Sequence, residues 1–391
     1  MTDADIRALF PGVARRKYFN AASASLLPAP VREAVGASLD AHVEGGIHAW
    51  NGDREALERA RVCAARLIGA SADEIAFVQN TAEGISRVAG GIAWCRGDEV
   101  VVGDLEYPAN VYPWAAQQER GARLTVVRSE NGTLPAERLI DAMSPRTRVV
   151  AVSMVQFTSG YRVDLRALGR ACAERGALLA VDAIQGLGVL PLDVRELGIG
   201  ALAVEGRKWL MGPSGTGFLF VSRDWIERIR PTAVGAWSVR DPEDYLQWSR
   251  AIDGQRPLDL NARFAAGAAR YEPGYPNMAG VAGLGAALEL GEQIGRARIG
   301  AQVLGLATRL VNGLEGAGIA VYGPTRPEER SGIVTFEPAG DAQATLRALA
   351  ERGFSLALRD GRLRASPHVY NSATEVDELL EALTSPIRHG R

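Results

Sequence analysis

Two stretches decide the reading of this chain: Ala177-Leu-Leu-Ala-Val-Asp-Ala-Ile-Gln-Gly186 and Ala203-Val-Glu-Gly-Arg-Lys-Trp-Leu-Met-Gly-Pro-Ser-Gly-Thr-Gly217. In the first, an apolar run over 178–181 ends on Asp182 and Gln185. In the second, Ile199, Ala201, Leu202, Ala203 and Val204 lead to Lys208 and then to glycine-rich turns. Short apolar runs bounded by such turns read as strands. Polar residues that follow a strand stand where open α/β sheets bind ligands, outside the carboxyl ends.

The pattern repeats outward from this pair. Helical spacing over 53–69 precedes a strand at 75–78, which turns directly into a helix start at Asn80. Further strands are expected at 99–102, 123–127 and 149–155, with helices over 110–119, 134–142 and 165–175. Such alternation predicts an α/β fold, a mostly parallel sheet wrapped by helices. It puts Asn80-Thr81, Glu106-Tyr107, Asp182 and Lys208 at strand ends. Past residue 230 the pattern loosens into a polar stretch with Trp237 and Trp248, read either as the substrate mouth or as interface packing. One long helix is expected from 281 through 295 to 314. A smaller α/β unit follows, with strands at 320–322, 332–336, 355–358 and 363–366 and helices near 343–352 and 374–383. The expected division is an N-terminal arm (1–30) reaching the active site, a large domain (31–265) and a small C-terminal domain (266–391).

The 391 residues, 47% hydrophobic and 23% charged, suit a globular chain with a large core. A net charge of −2 and the lack of a basic run argue against nucleic acid as a partner. Cys63, Cys95 and Cys172 form no CxxC pair, and the four histidines are not closely spaced, so no metal site is expected. The first residues lack a leader-like apolar region and no stretch is long and apolar enough for a membrane span; a cytoplasmic protein without membrane attachment is the expectation.

Lys208, led in by apolar residues and followed by Trp209, is placed for burial, where an amine loses its proton readily and can condense with an aldehyde. Asp182 could pair with a protonated pyridine nitrogen, and Gln185 with a ring oxygen or a nearby backbone group. Thr81 and Ala82, at a strand-to-helix junction, offer a hydroxyl and free N–H groups to a phosphate, with Arg207 as a further partner. Tyr107 could cover a flat ring, and Arg364 could clamp an α-carboxylate. Each has a plainer alternative: a helix cap for Thr81, Asp182 and Gln185, core packing for Tyr107, and solvent contact for Lys208 and Arg364.

Taken in order along the chain, these segments resemble the class V aminotransferase family, which holds cysteine desulfurases, selenocysteine lyases, kynureninases and isopenicillin N epimerases. The resemblance begins at Tyr18-Phe-Asn-Ala-Ala-Ser. It takes in Thr81, Tyr107, Asp182 to Gln185 and Lys208, and ends at Tyr271-Glu-Pro-Gly-Tyr-Pro-Asn277 and Arg364-Ala-Ser-Pro-His-Val-Tyr-Asn371. It implies the fold-type I architecture, pyridoxal 5′-phosphate on Lys208, an amino-acid substrate contacted by Arg364, Asn20 and Gln156, and a homodimer with active sites at the interface. Tyr275 stands where the family normally has a threonine that reaches the partner subunit's cofactor phosphate. Glu205 stands where many relatives carry a small residue, so it must point away, be protonated or pair with Arg207. Desulfurases carry a sulfur-accepting cysteine shortly before the substrate arginine, yet Ser355-Leu-Ala-Leu-Arg-Asp-Gly-Arg-Leu-Arg364 has none. The expected activity is therefore a C–S or C–C lyase, with epimerisation or transamination as alternatives and a catalytically silent scaffold as the reading of another class.

Overall fold

The computed structural model describes residues 1–239 and 263–385. Among these, seven strands form the main sheet in the order Ile75–Val78, Gly217–Val221, Ala201–Glu205, Leu178–Asp182, Thr147–Ser153, Glu99–Gly103, Arg123–Val127. All run parallel except Gly217–Val221, which is antiparallel to both its neighbours. Its central strands are Val-, Leu- and Ala-rich and buried along their whole length, as a sheet covered on both faces requires. One apolar cluster fills each face of this sheet. The mostly parallel α/β architecture agrees with the sequence reading.

A second, four-stranded antiparallel sheet has the order Ala357–Arg359, Arg362–Ala365, Val334–Phe336, Val321–Tyr322. With the helices Arg296–Gly316, Ala342–Glu351 and Ala373–Thr384 it encloses a core of its own that includes Phe336, Leu363 and Leu379. The N-terminal segment ties the two sheets together. Lys17–Tyr18 pairs with Phe354–Ser355, Ala21 N–H donates to the Ser366 carbonyl at 3.1 Å, and Ser25 N–H donates to the Arg207 carbonyl at 2.8 Å.

Two helical expectations change. The long helix is two, Met278–Ile294 and Arg296–Gly316, separated by Gly295 at φ 96°, a conformation in the region that favours glycine. Met278–Ile294, placed by its sequence position in the 266–391 unit, packs on the helices Ala29–Gly45 and Trp50–Ile68 and shares the larger core. The helix expected over 110–119 is fragmented into the turns Pro108–Asn110, Tyr112–Ala115 and Ala116–Arg120; Pro113 lacks the N–H that a continuous ladder needs. Among the described residues, no helix is long and apolar enough to cross a membrane.

Candidate active site

The parallel strands end at one edge of the main sheet, and each delivers polar groups there. Asp182 closes its strand and is 1% exposed. Its Oδ1 accepts from the Ile184 N–H at 2.9 Å. Burial raises the Asp182 carboxyl well above the usual range, while the Ile184 N–H and the Lys208 charge oppose that rise. Lys208 follows the next strand, and its Nζ lies 5.9 Å from the centroid of the Tyr107 ring. Burial pushes its amine below the ordinary value; Asp182 opposes this, and the Arg207 and Arg364 charges add to it. A tight loop presents the lysine. Gly206 N–H donates to the Thr216 carbonyl, Met211 N–H to the Lys208 carbonyl, and Met211 adopts φ 59°. A buried non-glycine residue in that region is held there by its surroundings.

Thr81 opens the helix Thr81–Gly91, which Asn80 caps by accepting from the Glu83 N–H at 2.9 Å. Ala82 follows in the same first turn, where helical N–H groups lack intrahelical acceptors. The helix lies close on the sheet: a Cβ on Gly84 would stand 2.8 Å from that of Ala203. Tyr107 is 47% exposed and meets Phe157 edge-on, centroids 5.1 Å apart. Glu205 and Arg207 pair at 3.3 Å, and Glu205 also accepts from the Gly215 N–H at 3.1 Å. Of the options open to Glu205, pairing with Arg207 is the one adopted. Both ends of the Gln185 amide are engaged, donating to the Ala22 carbonyl and accepting from Trp209 Nε1, each at 3.0 Å.

Arg364 reaches the site from the four-stranded sheet. It is 1% exposed and donates to the Phe157 carbonyl at 2.8 Å and to Ser23 Oγ at 2.9 Å. It pairs with no carboxylate among the described residues. Asn20, on the N-terminal segment, bridges to Ser366. Thr81 Oγ1, Asn20 Oδ1, Gln156 Oε1 and Arg364 Nε are all buried without a hydrogen-bond partner. Folded proteins pair nearly all such atoms, so these four are groups whose hydrogen bonds a polar ligand could complete. A condensable amine, a buried carboxylate, an open helix start and an unpaired guanidinium together fit a phosphate-bearing pyridine aldehyde and an amino acid beside it.

Tyr275 is differently engaged: its hydroxyl donates to Asp53 Oδ2 at 2.8 Å, and its ring packs on Trp50 and Trp237. Trp248 lies outside the described residues. Glu106, which the sequence placed with Tyr107 at a strand end but to which it gave no role, is a further functional residue. It is buried, its Oε1 accepting from Ser153 N–H at 2.8 Å and Gln156 Nε2 at 2.7 Å, its Oε2 from Asn110 Nδ2 at 2.8 Å and from Ser153 Oγ. Burial raises its carboxyl and those donors oppose the rise. Its adjacency to Tyr107 at a strand end was the available signal.

The family model of the class-V aminotransferases matches residues 17–379. A probable cysteine desulfurase of Methanothermobacter thermautotrophicus is 32% identical, with 98% of each chain covered. Two structures of C-DES are similar at 25% identity. One, with glycine covalently linked to its PLP cofactor, has a TM-score of 0.87 and covers 97% of this chain and 99% of that one. In the other, C-DES is a cystine C–S lyase in complex with its reaction product cysteine persulfide, with a TM-score of 0.86 and coverage of 96% and 99%. Sequence and fold agree over nearly the whole length, and this chain belongs to the class-V aminotransferase family.

Proposed function

We propose that the protein is a pyridoxal 5′-phosphate-dependent lyase that acts on an amino acid and breaks a bond at its β-carbon, a C–S bond before a C–C bond. The observation that carries this reading is one buried site holding the Lys208 amine, the Asp182 carboxylate and an Arg364 guanidinium without a carboxylate partner among the described residues. When bound through Lys208, the cofactor supplies an electron sink for bonds at the substrate α-carbon. Thr81, the Ala82 N–H and Arg207 would hold its phosphate, Asp182 would keep a proton on the ring nitrogen, and Tyr107 and Gln185 would contact the ring. Arg364 binds the α-carboxylate, and Asn20 and Gln156 present their unpartnered oxygens to polar substrate groups. Lys208, lowered by burial, takes the proton from the α-carbon and returns one to the product.

No cysteine lies in 355–364. Of the three in the chain, Cys63 and Cys172 are buried, with burial pushing Cys172 up to about 12, and Cys95 is exposed. Buried thiols raised in this way are poor sulfur acceptors, and with no cysteine in the segment before Arg364 the proposed reaction ends without a persulfide on the protein. The chain is proposed to work as a homodimer: Leu39, Val43 and Ile47 expose apolar surface on and just after the helix Ala29–Gly45, and Trp50 and Tyr275 extend it. The proposed division keeps residues 1–30 as an arm across the site. The core of the small unit begins in Arg296–Gly316.

The visible spectrum of the purified protein, with borohydride reduction and peptide mapping, is the test. A yellow chromophore trapped on Lys208, with keto acid released from cystine or another S-substituted cysteine, is the expected result. Activity should survive in Cys95→Ser. Solvent-hydrogen exchange at the α-carbon without cleavage would make the protein an epimerase, and amino-group transfer to a keto acid an aminotransferase. A protein that gains no colour with added cofactor would be a silent scaffold.

A further inference from the structure

Three arginines share one face of the hairpin that carries Arg364. Ala357 pairs with Arg364 and Arg359 with Arg362, and the turn between is Asp360-Gly361, with φ 47° and 76°. Side chains alternate along a strand, so Arg359, Arg362 and Arg364 project from the same side. Arg362 is neutralised: it donates to Glu337 Oε1 at 2.9 Å, and its guanidinium lies 4.1 Å from the centroid of the Tyr322 ring. The other two converge on a neutral group. Arg364 donates to Ser23 Oγ at 2.9 Å and Arg359 to the same oxygen at 3.4 Å. Their remaining hydrogen bonds go to the carbonyls of Phe157 and Leu358. Neither has an ion pair among the described residues.

Two guanidinium groups that meet over one hydroxyl repel each other, and a serine oxygen offsets little of that. Burial, and after it the Arg359 charge, push Arg364 down to about 9. An α-carboxylate brings one negative charge and satisfies one arginine. The two also stand at different depths: Arg364 is fully buried, whereas Arg359 is half-buried beside the exposed turn. The inner one suits the group next to the reacting carbon, and the outer one a group farther along the substrate.

We infer that the substrate is an amino acid bearing a second oxyanion, its α-carboxylate paired with Arg364 and its second acidic group, a carboxylate or a sulfur oxyacid, paired with Arg359. This rests on the proposed amino-acid chemistry at Lys208 and narrows its substrate class to dianionic amino acids. Ser23 serves as the hinge that sets the spacing of the two guanidiniums.

The experiment titrates the cofactor-loaded protein with matched pairs, L-glutamate against L-glutamine and L-aspartate against L-asparagine, following the visible spectrum for an apparent Kd. At least one acid is expected to bind about tenfold more tightly than its amide, the size of one charge-assisted contact. Arg359→Gln should close that gap and Arg359→Lys restore part of it, while Arg364→Gln weakens acid and amide alike. Equal affinity for acid and amide in both pairs overturns the inference. So does an Arg359→Gln variant that weakens both members equally, since both arginines would then grip one carboxylate. If no amino acid changes the spectrum, it is the amino-acid reading that fails. A circular dichroism melt of each variant separates lost binding from lost folding.

Discussion

At the carboxyl edge of the seven-stranded sheet two pairs of opposite charges meet: Lys208 feels Asp182, and Arg207 pairs with Glu205. On the four-stranded sheet Arg364 faces Arg359 across a serine hydroxyl. The first arrangement is internally compensated and can stand whether or not a ligand is bound. The second is left in deficit. A group that stays through many turnovers belongs on the compensated side, and one that enters and leaves each time suits the side that its own charge completes.

The comparison breaks most sharply at Lys208. Asp182 raises the Lys208 amine and Arg364 lowers it, so removing each should move that amine in opposite directions. In the cofactor-free protein, the pH at which Lys208 becomes reactive to an acylating probe should fall in Asp182→Asn and rise in Arg364→Gln. The same Asp182→Asn change should cut turnover of the loaded enzyme by about 10²-fold, the scale of a lost charge-assisted hydrogen bond to the ring. Shifts of the same sign in both variants would mean that the two halves do not act on a common amine.

Glu106 sharpens the comparison from a third position, because it is saturated by donors. Four hydrogen bonds converge on it, one of them fixing Gln156 so that its Oε1 remains unpartnered. In Glu106→Gln an amide N–H₂ replaces one acceptor. Folding stability should fall by about 1–3 kcal/mol, and cofactor affinity should drop with it. Unchanged urea midpoint and cofactor affinity would show that Gln156 is held by other means.

The strands and the residues at their ends were legible because the signal is local. Ile75–Val78, Arg123–Val127 and Leu178–Asp182 are short, mostly apolar runs that end in or are followed directly by polar residues. The break at Gly295 was not legible, because a glycine costs a helix only about 1 kcal/mol and the apolar pattern continues past it. What a polar side chain meets was hidden as well. Gln185 read as a ring contact or a backbone contact, and its engagement by Ala22 and Trp209 depends on where the N-terminal segment crosses the site. Likewise Glu106 could be placed with Tyr107 at a strand end, but its burial and most of the donors that surround it depend on Ser153 and Gln156, at and just past the end of another strand. The hairpin's arginine alternation around Asp360-Gly361 was visible, but the missing counter-charge was not, since Ser23 lies on a distant segment.

His368 tests the seam between the two sheets, with no effect expected at neutral pH. Its ring stacks on Trp209 from the lysine loop and on Tyr370 beyond the arginine strand, at centroid distances of 5.5 and 5.4 Å. Nδ1 accepts from the Val369 N–H at 2.7 Å, which leaves Nε2 to carry the proton toward the Trp209 carbonyl at 3.3 Å. Burial lowers the ring from 6.5 to about 4. The unfolded chain therefore binds a proton at higher pH than the folded one, and stability is lost as pH falls through that window. The loss should reach roughly 3 kcal/mol. In His368→Gln, whose amide can keep both contacts but does not titrate, the acid limb of a urea-unfolding series should be shallower by that amount. An equally steep limb would mean that the ring accepts its proton without opening the seam, and that the two sheets are held together by the N-terminal segment instead.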